Sequence, residues 1–167
     1  GVFEPFEIFP GVIVPPGSYE HKEAQFAGNT NFGAPVSANV NAFFGGFFGG
    51  DRATITPSIS ARVGETLNTT LEWSYNDLRL PGGAFKTNLA RFRVSYSFTT
   101  RMFFQALVQY NDRADLWSSN LRFGLLSDAN TGLFVVYNDI QGLGSDIPQG
   151  AGRTLTLKYS YLFDLLR

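Results

Sequence analysis

The chain has 167 residues, a formal net charge of -1 and no cysteine, and Asp, Glu, Lys and Arg make up only 16% of it, below the roughly 25% of soluble domains. So balanced a charge gives no electrostatic case for a nucleic-acid partner, and no run approaches the ~20 consecutive apolar residues of a membrane-spanning helix. Phe and Tyr nevertheless supply 24 residues and Gly another 18, and mean hydropathy is -0.04, the averaging expected where lipid-facing and lumen-facing residues alternate along strands.

The first segment, residues 1–18, carries Pro5, Pro10, Pro15 and Pro16, which break helices and exclude a central strand. It reads as a lead-in that enters or plugs a barrel, with extended pieces at 6–9 and 12–14 able to pair at an edge. A weak strand follows over 19–27, its faces obscured by Glu20, Lys22 and Glu23. The absence of an initiator Met and of a signal peptide makes the sequence read as a processed chain or the tail of a longer one. The lack of cysteine fits a periplasm-facing and a cytosolic protein equally.

From residue 36 apolar and polar residues alternate, placing them on opposite faces of a strand. Over 36–44, Val36, Ala38, Val40, Ala42 and Phe44 oppose Ser37, Asn39 and Asn41. Over 53–63, Ile55, Ile59 and Val63 oppose Thr54, Ser58 and Arg62, with Pro57 marking a bulge. Over 67–75, Leu71, Trp73 and Tyr75 oppose Glu72; over 90–98, Phe92, Val94 and Tyr96 oppose Arg91 and Arg93. Over 104–110, Phe104 and Tyr110 oppose Gln105 and Gln109; over 117–125, Leu121 and Phe123 oppose Asn120 and Arg122. A short strand at 133–138 precedes the closing one at 153–163, where Leu155, Leu157, Tyr159, Tyr161 and Phe163 oppose Thr154, Thr156, Lys158 and Ser160. Eight strands emerge, nine with the weak one.

The links alternate in length: short at 64–65, 99–101 and 127–131, longer at 45–52, 76–86, 111–116 and 139–152. Outer-membrane barrels sort tight periplasmic turns from longer outer loops in this way. The expected fold is therefore all-β, an antiparallel transmembrane barrel over residues 19–167 or the C-terminal part of a larger one. The apolar face meets lipid, and Tyr159, Tyr161 and Phe163 form the closing signal at the interface.

Candidate sites are few. Gly45-Gly46 and Gly49-Gly50 lack the Gly-Lys-Ser/Thr of a phosphate loop and read as a hairpin turn. His21, the only histidine, stands near Glu20 and Glu23 and supports, as an alternative, a barrel enzyme acting on lipid or glycan. Asp112, Asp115 and Asp128 read as turn formers rather than calcium ligands. The expected lumen lining is Arg62, Glu72, Arg91, Arg93, Gln105, Gln109, Asn120, Arg122 and Lys158, a set in which cations outnumber the single acid. It reads as structural packing first, and as a lining for anionic solutes or an acidic plug second.

At Leu80-Pro-Gly-Gly-Ala-Phe85, Ala106-Leu-Val-Gln-Tyr-Asn111, Trp117-Ser-Ser-Asn-Leu-Arg122, Leu133-Phe-Val-Val-Tyr-Asn138 and Leu157-Lys-Tyr-Ser-Tyr-Leu-Phe163 the chain resembles the C-terminal part of the bacterial family of unknown function 5916. Pro15-Pro-Gly-Ser-Tyr19 resembles a turn ahead of that family's hairpins. Members carry an N-terminal carbohydrate-binding-like sandwich, absent here, before an outer-membrane-type barrel. The resemblance implies a bacterial outer-membrane location and a link to carbohydrate binding or uptake, and lends no reaction. The expectation is a non-catalytic anchor, pore or assembly partner without metal or cofactor. Its partners would be membrane lipids and either other outer-membrane or periplasmic subunits or a missing N-terminal part. A soluble ligand-binding barrel, with the apolar face turned inward, is the second alternative.

Overall fold

The computed structural model describes residues 1–128, 131–143 and 151–161. Among them the chain is all-β, with two sheets. A small hairpin pairs β1 (Phe6–Phe9) with β2 (Val12–Val14). The main sheet is an antiparallel meander of nine strands: β3 (Glu23–Asn29), β4 (Val36–Phe47), β5 (Gly50–Val63), β6 (Leu67–Leu80), β7 (Gly83–Ser97), β8 (Met102–Asn111), β9 (Leu116–Asp128), β10 (Thr131–Gly142) and β11 (Gly152–Ser160). Each strand pairs with its neighbours in sequence, and β3 and β11 are the two edges. The barrel expectation is corrected to that extent: among the described residues the sheet does not close.

Register explains why the pattern survives across so many strands. Because side chains alternate with period two, a one-residue slip would turn an apolar set onto the polar face. The register from β4 to β9 is continuous, and the one shift on β10 falls at its first pair, between Thr131 and Gly132. Pro57 leaves the register unbroken, so the expected bulge is absent. Its cost is local: Thr56 and Pro57 have no partners on β6 although Ile55 and Ser58 on either side do, as follows from the missing proline N–H.

Two links expected to be long loops are strand. β4 and β5 are joined only by Phe48 and Gly49, both at positive φ (47° and 77°), the signature of a tight hairpin turn. β6 and β7 are joined only by Pro81 and Gly82. Glycine is required beside the first turn because a Cβ on Gly50 would lie 2.0 Å from the Arg79 carbonyl oxygen. The sorting of short from long links is therefore not a property of the structure; instead β5, β6 and β7 run on for 14, 14 and 15 residues. Asp128, expected in a turn, is the last residue of β9.

The sheet has one layer. The accessible surface is 11586 Å², against about 8,200 Å² for a compact protein of this mass. Only Val12, Val14, Ala42, Leu78, Leu80 and Ala106 are buried apolar residues among those described. Domains in water bury an apolar sheet face against a second layer; among the described residues no such layer covers this one.

The one buried apolar cluster among the described residues lies where the β1–β2 hairpin rests on the polar face of the main sheet. Val12 and Val14 pack with Leu80, flanked by Phe9, Phe47, Phe48 and Phe85, and Phe9 stacks on Phe85 at 4.3 Å. The hairpin also meets the β8–β9 turn, where Arg113 donates to the Ile8 carbonyl at 3.0 Å. These pieces pair with each other rather than at a sheet edge, and the lead-in lies across the end of the sheet where the β4–β5, β6–β7 and β8–β9 turns gather.

Candidate functional site

The two faces of the sheet are the molecule's chemistry. On the apolar face Ala42, Ile55 and Tyr75 stand in register, as do Leu71, Phe92 and Val108, and Ala106, Leu121, Tyr137 and Leu155. Much of this face is bare: Val36 is 62% exposed, Ile59 54%, Leu71 51% and Leu155 72%. Tyr159 and Tyr161 belong to it at 67% and 54%, while Phe163 lies outside the described residues.

The apolar surface is a band with two aromatic rims. At one rim Trp73 lies 5.8 Å from Tyr75 and Tyr110 6.1 Å from Trp117; at the other Tyr96 lies 4.7 Å from Phe98 and Tyr159 6.5 Å from Tyr161. Beyond the first rim the face turns polar, with Asp77 between Arg79 (3.5 Å) and Lys86 (3.9 Å), and Arg153 against Asp139 (3.4 Å).

The band also runs obliquely to the strands. On β10 it ends at Tyr137, because Asp139 follows. From Tyr137 the pairs run through Leu121, Ala106, Val94, Thr69 and Ala61 to Val36 on β4. On β4, however, the band continues to Phe44, eight residues past Val36. Its other rim shifts in the same sense by four residues, from Val36 to the line of Leu133. With ~3.3 Å per residue and ~4.8 Å between strands, these offsets over six strand steps give crossing angles of about 43° and 25°. Their mean of about 34° falls just below the ~35–45° tilt of strands in transmembrane barrels.

All nine expected lining residues share the opposite face. Glu72 stands across from Arg91 and receives a bond from its Nη1 at 3.0 Å. Gln109 pairs with Arg91 in the next strand, Arg93 with Leu107, Gln105 with Arg122, Asn120 with Asn138, and Lys158 with Phe134. Arg62 faces Asn68 near the β5–β6 turn. Hydroxyl and amide groups form cross-strand ladders between them: Thr54, Asn76 and Thr87 are linked in series at 2.8 and 3.2 Å, Ser60 meets Thr70 at 3.0 Å, and Asn138 bonds both Asn120 and Thr154.

A second ion pair on this face was not expected. Arg52 Nη2 lies 2.6 Å from Glu23 Oε1, with the guanidinium 4.7 Å from the Phe47 ring centroid. Arg52 fell in an expected loop, and nothing local in the sequence links it to Glu23.

His21 Nδ1 lies 3.0 Å from the Gly46 carbonyl oxygen, and its ring packs on Phe47 and Phe48 at 6.0 and 5.5 Å; Glu23 is engaged by Arg52. Asp112 is a structural tether, accepting from the Asn88 backbone and side-chain nitrogens at 2.6 and 2.7 Å, and Asp115 holds the turn at φ 48°. Among the described residues no group of three or more His, Asp or Glu could hold a metal ion, and no helix is long and apolar enough to cross a membrane. The chain matches no family model, no curated protein and no solved structure.

Proposed function

We propose that this sheet is the wall, or part of the wall, of a transmembrane β-barrel of the bacterial outer-membrane type, acting without catalysis as an anchor, pore or assembly partner. The observation that carries this reading is the oblique apolar band, exposed across the sheet and edged by aromatic residues. A soluble sheet has no reason to shift its apolar limits steadily from strand to strand, whereas strands tilted through a bilayer of fixed thickness must do so. From Trp117 to Leu125 on β9 the band spans eight residue steps, about 26 Å along the strand and about 22 Å along the bilayer normal at this tilt, comparable to the ~25 Å apolar belt of such barrels.

In this reading lipid is the missing second layer and the polar face lines the interior. The hydrogen-bonded ladders there satisfy groups that would be costly to bury unpaired. The resemblance to family 5916 implies the same architecture, although no family model matches the chain. The test is extraction behaviour: the folded protein should require detergent and migrate differently with and without boiling. Full solubility without detergent would overturn the proposal.

A further inference from the structure

On the polar face the strands carry six cations and, among the described side chains, two carboxylates. Glu23 is taken by Arg52 and Glu72 by Arg91. Arg62, Arg93, Arg122 and Lys158 remain with no carboxylate partner among the described residues, and Arg122 meets only a ring, lying 5.3 Å from the Phe134 centroid. They occupy three adjacent lines of pairs spread from β5 to β11, with Arg93 and Arg122 only two strands apart, about 10 Å. Arg62 and Arg122 stand on one line of pairs, through Asn68, Ser95 and Gln105. Arg93 is on the neighbouring line with Thr70 and Asn120, and Lys158 on the neighbouring line of the other side with Phe103 and Phe134.

Two hollows open on this patch. One of about 300 Å³ is lined by Arg93, Ser95, Gln105, Leu107 and Asn120. The other, of about 480 Å³, shares Ser95 and Gln105 with it and extends to Phe103, Phe98 and the turn residue Glu65. Phe103 lies over Gly124, where a Cβ would come within 2.4 Å of its ring, and stands 6.4 Å from Phe134. The patch therefore combines guanidinium groups with no carboxylate partner among the described residues, amide and hydroxyl groups, and two aromatic rings inclined at 55°, with one carboxylate, Glu65, at its turn end.

From this juxtaposition we infer a binding site for a planar organic anion bearing two or more sulfonate, phosphate or carboxylate groups. The guanidinium fork suits such oxyanions, and the planar part has the Phe103 and Phe134 rings to rest on. The inference uses the polar face alone; the membrane reading adds only that the site faces the interior.

Pyrene trisulfonate, followed by fluorescence polarisation with the detergent-folded protein, is a suitable probe. Arg62→Gln, Arg93→Gln and Arg122→Gln together should weaken binding roughly tenfold, since exposed ion contacts each contribute a few-fold. Arg79→Gln, Lys86→Gln and Arg153→Gln remove the same charge from the opposite face and should change it less than about twofold. Arg93→Gln alone, whose side chain has no hydrogen-bond or ion-pair partner among the described residues, covers the case in which the triple variant misfolds and should give a few-fold loss. Absence of probe binding, or equal loss from both faces, overturns the inference. Detergent dependence, scored on the same samples, separately decides the membrane reading.

Discussion

Replacing Leu121 by Arg tests the wall most directly. Leu121 sits on the apolar face between Ala106 and Tyr137, four residues from Trp117 and four from Leu125. At ~3.3 Å per residue and a tilt of about 34°, that is about 11 Å from either rim, which the proposed membrane reading puts close to mid-membrane. An arginine on the lipid face costs about 2–4 kcal/mol at the midplane and about 0–1 kcal/mol near the interface. Leu121→Arg should therefore lose about 2–4 kcal/mol, Leu125→Arg less than about 1 kcal/mol, and Asn120→Arg, on the other face, within about 0.5 kcal/mol of the parent. Urea-dependent folding into lipid vesicles measures this, read from the two tryptophans, both of which lie at one aromatic rim. If Leu121→Arg is no worse than Leu125→Arg, or folds better in water than the parent, the face does not meet lipid.

Gly50→Ala should destabilise by about 1–3 kcal/mol and lower the urea midpoint, since the new Cβ would meet the Arg79 carbonyl and a shifted backbone must relieve it. Glu72→Gln should cost at most about 1 kcal/mol, because both partners are 35% exposed, and the loss should fade in high salt. Val14→Asp should release the β1–β2 hairpin, exposing residues 1–18 to protease while the main sheet stays resistant, as Val14 is 2% exposed in the apolar cluster. Asp112→Ala removes both bonds to Asn88 and should lower stability by about 1–3 kcal/mol, with cleavage appearing first in the β8–β9 turn.

The faces of the sheet were legible in the sequence because period two is local: Phe92 and Arg93 declare opposite sides without reference to the rest of the chain. Strand ends were legible only while the apolar band lasted. Past Tyr75 both faces of β6 carry polar groups, so Asn76, Asp77 and Arg79 resemble a loop although the ladder continues to Leu80. Glycines at 45, 46, 49 and 50 look alike as letters, yet only Gly49 lies in the turn, while Gly45 and Gly50 make room for adjacent backbone. Pairings such as Arg52 with Glu23, and the packing of Val12 and Val14 on Leu80, depend on tertiary approach and leave no local trace. The cationic excess was readable as a count; which cations keep no acid partner required the cross-strand neighbours.

Among the described residues the main sheet has nine strands, each antiparallel to the next, so its first and last strands point the same way. β3 and β11 could therefore meet directly only as a parallel pair. A second copy related by rotation about the barrel axis would present the same mismatch at both seams. Any closed wall that keeps every neighbour antiparallel must insert an odd number of further strands between β11 and β3, bringing the total to an even count. Parity, rather than sequence, is thus the first criterion that whatever lines those two edges must meet.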